Sequence, residues 1–388
     1  MTAISMALNA TTFVCSRAVM TSARRSLLLT ALLIVPSGVA GAQGPQRLEI
    51  GHFKARAILE CASAPRNGLI AILVPGTGAH GPEEAMPGSM TLDGKETSIF
   101  ASFAGAMRDA GFHTLQLGKP GIEFHTTWDM AKFAYDRELY MGLTWNDLLQ
   151  NVNEAIDYVV AQHPCGASTI VLAGHSEGTM RVSDVAAANP KVRGLVLIGF
   201  HGHSLKEMVD FQAYRRPVEL FVKPDVDADH DGYITRDEAA KWGKDFAWPW
   251  KEGETRVSLA DYSESLRTNP DYLKAIDQLA KAPTYKGIWD REPMFDLVAR
   301  FTIPVLAFTG TADVFTPPSE LESLQAACTR AGKQDCETHL VPGLGHFMSA
   351  PRPPRGQPLV DMTNGPVDKD FLDLLTRTLS AWREQVHP

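Results

Sequence analysis

The 388-residue sequence has no block of basic residues in its body, no apolar run long enough to span a bilayer, and no internal repeat. The first absence, together with a formal net charge of -8, argues against broad nucleic-acid binding, because no cationic surplus is left to neutralise phosphates. The second is decided near the start, where the apolar run Leu27 to Val35 is cut off by Pro36, Ser37 and Gly38, well short of the roughly 20 residues that a spanning helix needs. The third leaves a single large domain with an attached element as the organisation to expect at this length. Cysteine is scarce as well, with five in the whole chain.

The short apolar run fits an export signal. Arg24 and Arg25 precede it and the small residues Ala40-Gly41-Ala42 follow, so residues 1–42 read as a signal peptide and the mature chain begins near Gln43. The arginine pair leaves the general and the twin-arginine routes both open. The expected location is periplasmic or secreted, with no stable membrane span after cleavage. Cleavage removes Cys15 and leaves Cys61, Cys165, Cys328 and Cys336, an even count where disulfides persist. Cys328 with Cys336 closes a short helix-to-strand loop, and Cys61 with Cys165 follows by elimination. Four buried thiols are the alternative.

Beyond the signal, short β-like runs and helical periods alternate, the pattern of a mostly parallel sheet with helices on both faces. Strands are expected at Phe53 to Cys61, Leu69 to Val74, His113 to Leu117, Thr169 to Gly174, Leu195 to Phe200, Pro304 to Thr309 and Thr338 to Val341. Helical stripes occur around Ile99 to Met107, Trp145 to Val160, Leu321 to Ala327 and Phe371 to Trp382. From about His201 to Phe301 the alternation gives way to Trp-rich, Pro-rich and acidic helical stretches, which read as an insertion. Its aromatics Trp242, Phe246, Trp248, Trp250 and Trp289 form either a lid over the substrate or the insertion's own small core.

Gly174-His175-Ser176-Glu177-Gly178 matches G-x-S-x-G and sits between a strand and a helix, the context that lifts a serine above the sheet edge. A serine hydroxyl needs a base to take its proton and an acid to orient that base. Downstream, Asp313 follows the strand Pro304 to Thr309, and His346 follows the last strand, so both are expected at the same edge as Ser176. Asp335 and Glu337 are weaker candidates for the acid. The oxyanion needs two preorganised N–H donors. The Glu177 amide is one, and the loop Pro75-Gly76-Thr77-Gly78 supplies the other from Thr77, with Gly76 next.

From about Phe53 to Trp382 the chain resembles the α/β-hydrolase superfamily, and its GHSEG elbow is similar to those of lysophospholipase-like esterases and serine aminopeptidase-like hydrolases. The oxyanion loop departs from that pattern with Pro75-Gly76 where His-Gly is common. Gly118-Lys119-Pro120-Gly121 stands where many relatives have an Asp-x-Arg-Gly turn. The resemblance implies an eight-stranded, mostly parallel sheet with a helical cap after the sixth strand. The core would then comprise residues 43–200 and 302–388, and the cap 201–301. It also implies a small-molecule ester substrate and an acyl-enzyme, with amide or peptide-bond hydrolysis as the alternative. A catalytically silent calcium-binding receptor is the reading from another class. No oligomeric state follows from the sequence.

Within the insertion, residues 227–238 fit the EF-hand calcium loop. Asp227, Asp229, Asp231, the Tyr233 carbonyl, Thr235 directly or through water, and bidentate Glu238 would supply the oxygens, with Gly232 at the sharp turn. Pro217 and Pro224 disfavour a regular incoming helix, and no second loop pairs with this one in the sequence. The expected cofactor is therefore one structural calcium ion, with none required for catalysis.

Overall fold

Residues 44–386 are described in the computed structural model, apart from 66–67, 89–90, 92–93, 126–134, 242–247 and 351–365. The signal reading over 1–42 and the aromatics Trp242 and Phe246 fall outside them. Alternating apolar runs build one eight-stranded sheet. Its strands are β1 Gln46–Ile50, β2 Ala55–Glu60, β3 Leu69–Val74, β4 His113–Leu117, β5 Thr169–His175, β6 Val192–Ile198, β7 Val305–Gly310 and β8 Cys336–Val341. They lie in the order β1-β2-β4-β3-β5-β6-β7-β8. Only β2 pairs antiparallel, with β1 and with β4, and every other pairing is parallel. This is the α/β-hydrolase fold.

Among the described residues, five helices flank the sheet: α1 Ile99–Asp109, α2 Trp145–Gln162, α3 Glu177–Ala188, α4 Pro318–Ala331 and α5 Lys369–Trp382. The alternation along each strand splits the core in two. Ile70, Ile72 and Val74 face the layer of α2, α3 and α4, whereas Leu69, Ala71 and Leu73 face α1 and α5. Because both faces are covered, the central strands are buried throughout, with every residue of β3, β5 and β7 inside. That is why they appear in the sequence as continuous apolar runs. β1 was not expected: its QRLEI sequence is half exposed at the sheet edge and lacks that apolar signature.

The parallel register brings the functional loops together. Val74 pairs with Gly174 and Gly310 with Val341, so the chain leaves β3, β5, β7 and β8 at one edge. After β6 the chain runs through an insertion before returning at β7. The insertion has its own core of Tyr214, Phe221, Val222, Val226, Ile234, Val257, Tyr262 and Leu266, with Trp248 and Trp250 packed against it. Of the two readings for these aromatics, the internal core describes Trp248, whose ring lies 5.0 Å from that of Tyr262. No helix among the described residues is long and apolar enough to cross a membrane.

Both expected disulfides are present, Cys61 to Cys165 and Cys328 to Cys336. The first closes 104 residues and the second 8. By chain entropy these loops correspond to about 4.7 and about 2.5 kcal/mol. The Cys61→Ser/Cys165→Ser pair should therefore lower stability more than the Cys328→Ser/Cys336→Ser pair, as measured by denaturant unfolding. Alkylation of the unreduced, unfolded protein should label none of the four thiols.

Candidate active site

Ser176 joins β5 to α3 with φ 54° and ψ -125°, a backbone conformation that costs a non-glycine residue of order 1–3 kcal/mol. Close approach dictates the flanking glycines. A Cβ on Gly178 would lie 2.1 Å from the Val74 carbonyl oxygen, and one on Gly174 would lie 2.6 Å from the Gly178 backbone. The Ser176 amide donates to the Ile198 carbonyl at 2.9 Å. Ser176 is half-buried, whereas His175, Glu177 and Gly178 around it are buried.

Asp313 and His346 meet as expected. His346 Nδ1 donates to Asp313 Oδ2 at 2.9 Å, which leaves Nε2 as the free basic nitrogen of the neutral ring. Asp313 Oδ1 accepts from the amides of Phe315 at 2.8 Å and Thr316 at 2.9 Å, and Thr316 Oγ1 donates to Oδ2 at 2.7 Å. A carboxylate accepting four hydrogen bonds is held in one orientation. Neither alternative acid reaches the histidine: Asp335 pairs with Lys333 and Glu337 with His339.

A second imidazole underlies the first. His175 Nδ1 donates to Glu84 Oε1 at 2.9 Å and Nε2 donates to the His346 carbonyl at 3.1 Å. Both partners are acceptors, so His175 carries both protons. Burial opposes its charge, but the Glu84 carboxylate overrides this and raises the pKa above the ordinary histidine value. Glu84, itself at φ 45°, also accepts the Gly76 amide at 2.8 Å. The Gly76 amide is thus committed to structure, leaving Thr77, which is exposed, as the oxyanion-loop candidate. Glu84 carries no motif and lies 91 residues from its partner. Only the fold reveals it.

The Glu177 side chain anchors the start of α3. Its carboxylate accepts from Lys119 Nζ at 3.0 Å and Tyr285 Oη at 2.6 Å, with Arg181 Nε at 3.6 Å. Burial alone would raise its pKa, yet Lys119 and Arg181 bring it down to about 2. Arg181 also donates to the Pro75 carbonyl, and His80 Nε2 donates to the Thr77 carbonyl at 2.8 Å. The loop expected to carry one oxyanion donor is therefore tied to the helix expected to carry the other. The departure at Gly118-Lys119-Pro120-Gly121 has a purpose, since it delivers the Lys119 ammonium. His201 and His203 serve the neighbouring turn: the His201 amide donates to Thr179 Oγ1, and His203 pairs with Glu320.

One carboxylate oxygen from each of Asp227, Asp229 and Asp231 lies within 4.8 Å of the others, a grouping that could hold a metal ion. Asp227 Oδ2 accepts from the Gly232 amide at 3.1 Å, Asp229 Oδ1 from Asp231 at 3.2 Å and Asp231 Oδ1 from Tyr233 at 2.8 Å. Glu238 reaches back over the loop to the amides of Ala228 at 2.9 Å and Thr235 at 2.8 Å. The incoming segment Pro217–Val226 is not a regular α-helix, in line with its prolines: it is wound with i to i−5 hydrogen bonds such as Asp227 N to Val222 O at 3.0 Å. The expectation that no second loop pairs with this one is corrected. A second loop is present. Strand Tyr233–Thr235 pairs antiparallel with Arg256–Ser258, and Ile234 lies opposite Val257. The sequence conceals this partner because it lacks the aspartates and the glycine of the motif.

No protein-family model matches the chain, and no curated protein matches it. It is similar to solved structures. Est1E from Butyrivibrio proteoclasticus is 16% identical, with 89% of this chain and 99% of that one covered at a TM-score of 0.42. A thermophilic esterase from Thermogutta terrifontis is 14% identical over 89% and 100% at 0.45. A proline iminopeptidase of Mycobacterium smegmatis is 14% identical over 87% and 98% at 0.44. Likeness at this level says nothing of chemistry.

Because the folded pKa of His175 is raised and that of Glu84 is lowered, their pairing stabilises the protein fully between the ordinary carboxylate value, about pH 4.3, and the ordinary histidine value, about pH 6.5. That stabilisation is lost as pH rises through the folded His175 value or falls through the folded Glu84 value. Glu84→Gln should cost about 3 kcal/mol within that window. The gap in melting temperature from wild type should narrow toward alkaline pH.

Proposed function

We propose that the chain is an exported serine hydrolase that cleaves a carboxylic ester through an acyl-enzyme, with Ser176 as nucleophile, His346 as base and Asp313 as its orienting acid. The observation that carries this reading is the Asp313–His346 hydrogen bond at the sheet edge where strained Ser176 leaves β5. In this reading His346 Nε2 takes the Ser176 proton as Oγ attacks the ester carbonyl, and the amides of Glu177 and Thr77 receive the oxyanion. His346 then passes the proton to the departing alcohol, and a water deprotonated by the same nitrogen releases the acid. The two disulfides support the exported location, since such bonds persist in oxidising compartments.

The cap takes one calcium ion in this reading, held by Asp227, Asp229, Asp231, the Tyr233 carbonyl, Thr235 and Glu238. The donor set fits a hard cation: it is all oxygen, and Asp227 is buried with its Oδ1 lacking a hydrogen-bond partner among the described residues.

Ser176→Ala and His346→Ala should each lower turnover of an aryl ester by about 10⁴-fold or more without loss of melting temperature, whereas Asp313→Asn should leave a small residual rate. Near-wild-type activity in Ser176→Ala ends the assignment. Faster cleavage of aminoacyl amides than of esters across a matched substrate panel would replace ester by amide hydrolysis. For the metal, calcium at a hundredfold excess over Kd should stabilise by about 2.7 kcal/mol, and Glu238→Ala should abolish the gain. A melting curve indifferent to calcium and chelator removes the metal from the reading.

A further inference from the structure

The two loops of the insertion are related by a local two-fold. Tyr233 lies opposite Ser258, Ile234 opposite Val257 and Thr235 opposite Arg256. The flanking hydrogen bonds are reciprocal: Leu259 N donates to Gly232 O at 3.0 Å, and Arg236 N donates to Thr255 O at 3.3 Å. Each strand ends in a capped helix, with Glu238 N on Thr235 Oγ1 at 3.2 Å and Asp261 N on Ser258 Oγ at 3.0 Å. Counting back from Val257 as from Ile234 sets Trp250 where Asp227 stands and Thr255 where Gly232 stands. An indole cannot ligate a hard cation. Trp250 instead packs on the insertion's core, so the second loop braces the first.

The same lobe touches the acid loop. Val314 packs against the insertion's core, Gln212 Nε2 donates to the Phe315 carbonyl at 2.9 Å, and the Arg216 guanidinium lies 5.0 Å from the centre of the Phe315 ring. That ring is 5.1 Å from the imidazole of His346. Gln212 and Arg216 belong to the helical run that continues to Val226 and ends at Asp227. One run therefore has the acid loop near its start and the carboxylate cluster at its end. Asp227 is only 2% exposed, and its Oδ1 has no hydrogen-bond partner among the described residues while converging with Asp229 and Asp231.

We propose that a single calcium ion bound by the first loop of this paired lobe regulates the hydrolase site by fixing the acid loop 313–316 through Val314 and Phe315. The proposal rests on the triad and calcium readings above. Three converging carboxylates repel one another. A cation removes that repulsion and fixes the end of the helical run, and Gln212 and Arg216 pass the constraint to Phe315, and so to the Asp313–His346 pair.

The test uses the full mature chain. Calorimetric titration with calcium should give one site per chain, lost in Glu238→Gln. Calcium should slow hydrogen exchange at the Phe315 and Thr316 amides, which bond Asp313, and should speed labelling of Ser176 by a fluorophosphonate about fivefold or more, the lower end of ordinary coupling between sites. Gln212→Ala/Val314→Ala should still bind calcium and lose both responses. Calcium binding with unchanged exchange and labelling overturns the regulation and leaves the metal reading standing. Absence of binding overturns both. Two ions per chain would overturn the bracing role of the second loop. If the fluorophosphonate fails to label at all, the triad reading falls, and the exchange rates alone decide whether calcium fixes the loop.

Discussion

Ser176 is held where an L-residue does not choose to be. Its positive φ is maintained because Gly174 and Gly178 let β5, β3 and α3 close to distances that a methyl group would forbid, and because the first residue of α3 is fixed from beneath. The Glu177 carboxylate gathers Lys119 from the turn after β4, Arg181 from the next turn of α3 and Tyr285 from the far end of the insertion. Three stretches of chain that are distant in sequence therefore fix one backbone turn. Removing the Glu177 carboxylate would leave two buried cations uncompensated, a heavier penalty than the pairs' net value.

Much of this architecture can be read from the residues alone, for a definite reason. Strands buried on both faces are mostly continuous apolar runs, so β3 stands in the sequence with its observed ends. Ser176 and Asp313 follow from their positions just beyond such runs, whereas β4 keeps its expected ends with polar His113, Thr114 and Gln116 buried inside it. β1 is half-exposed and gives no such signal. The second loop of the insertion is hidden because its pairing is carried by backbone hydrogen bonds, with Val257 opposite Ile234. Backbone hydrogen bonds leave no trace in side-chain chemistry.

The least legible group is the buried pair of Glu84 and His175. A glutamate in a loop before α1 looks like a solvated charge, and the histidine inside the elbow looks like a variable neighbour of the serine. The fold brings them together beneath His346 and gives each a partner that neither sequence position announces. His346 is thus gripped at its ring by Asp313 and at its carbonyl by His175, which restrains both rotation of the side chain and drift of the loop that carries it.

The ions beneath the elbow do not cancel. Lys119 and Arg181 together bring two positive charges to the single carboxylate of Glu177, leaving one excess cation at the N-terminus of α3. The helix already presents its positive end there, so the fixed field on this side of the sheet edge favours negative charge. Burial lowers the Lys119 pKa to about 8, and above that value the excess disappears. The polarity at the start of α3 is therefore itself a function of pH, set by one buried ammonium that the hydrogen-bonded frame carries within it.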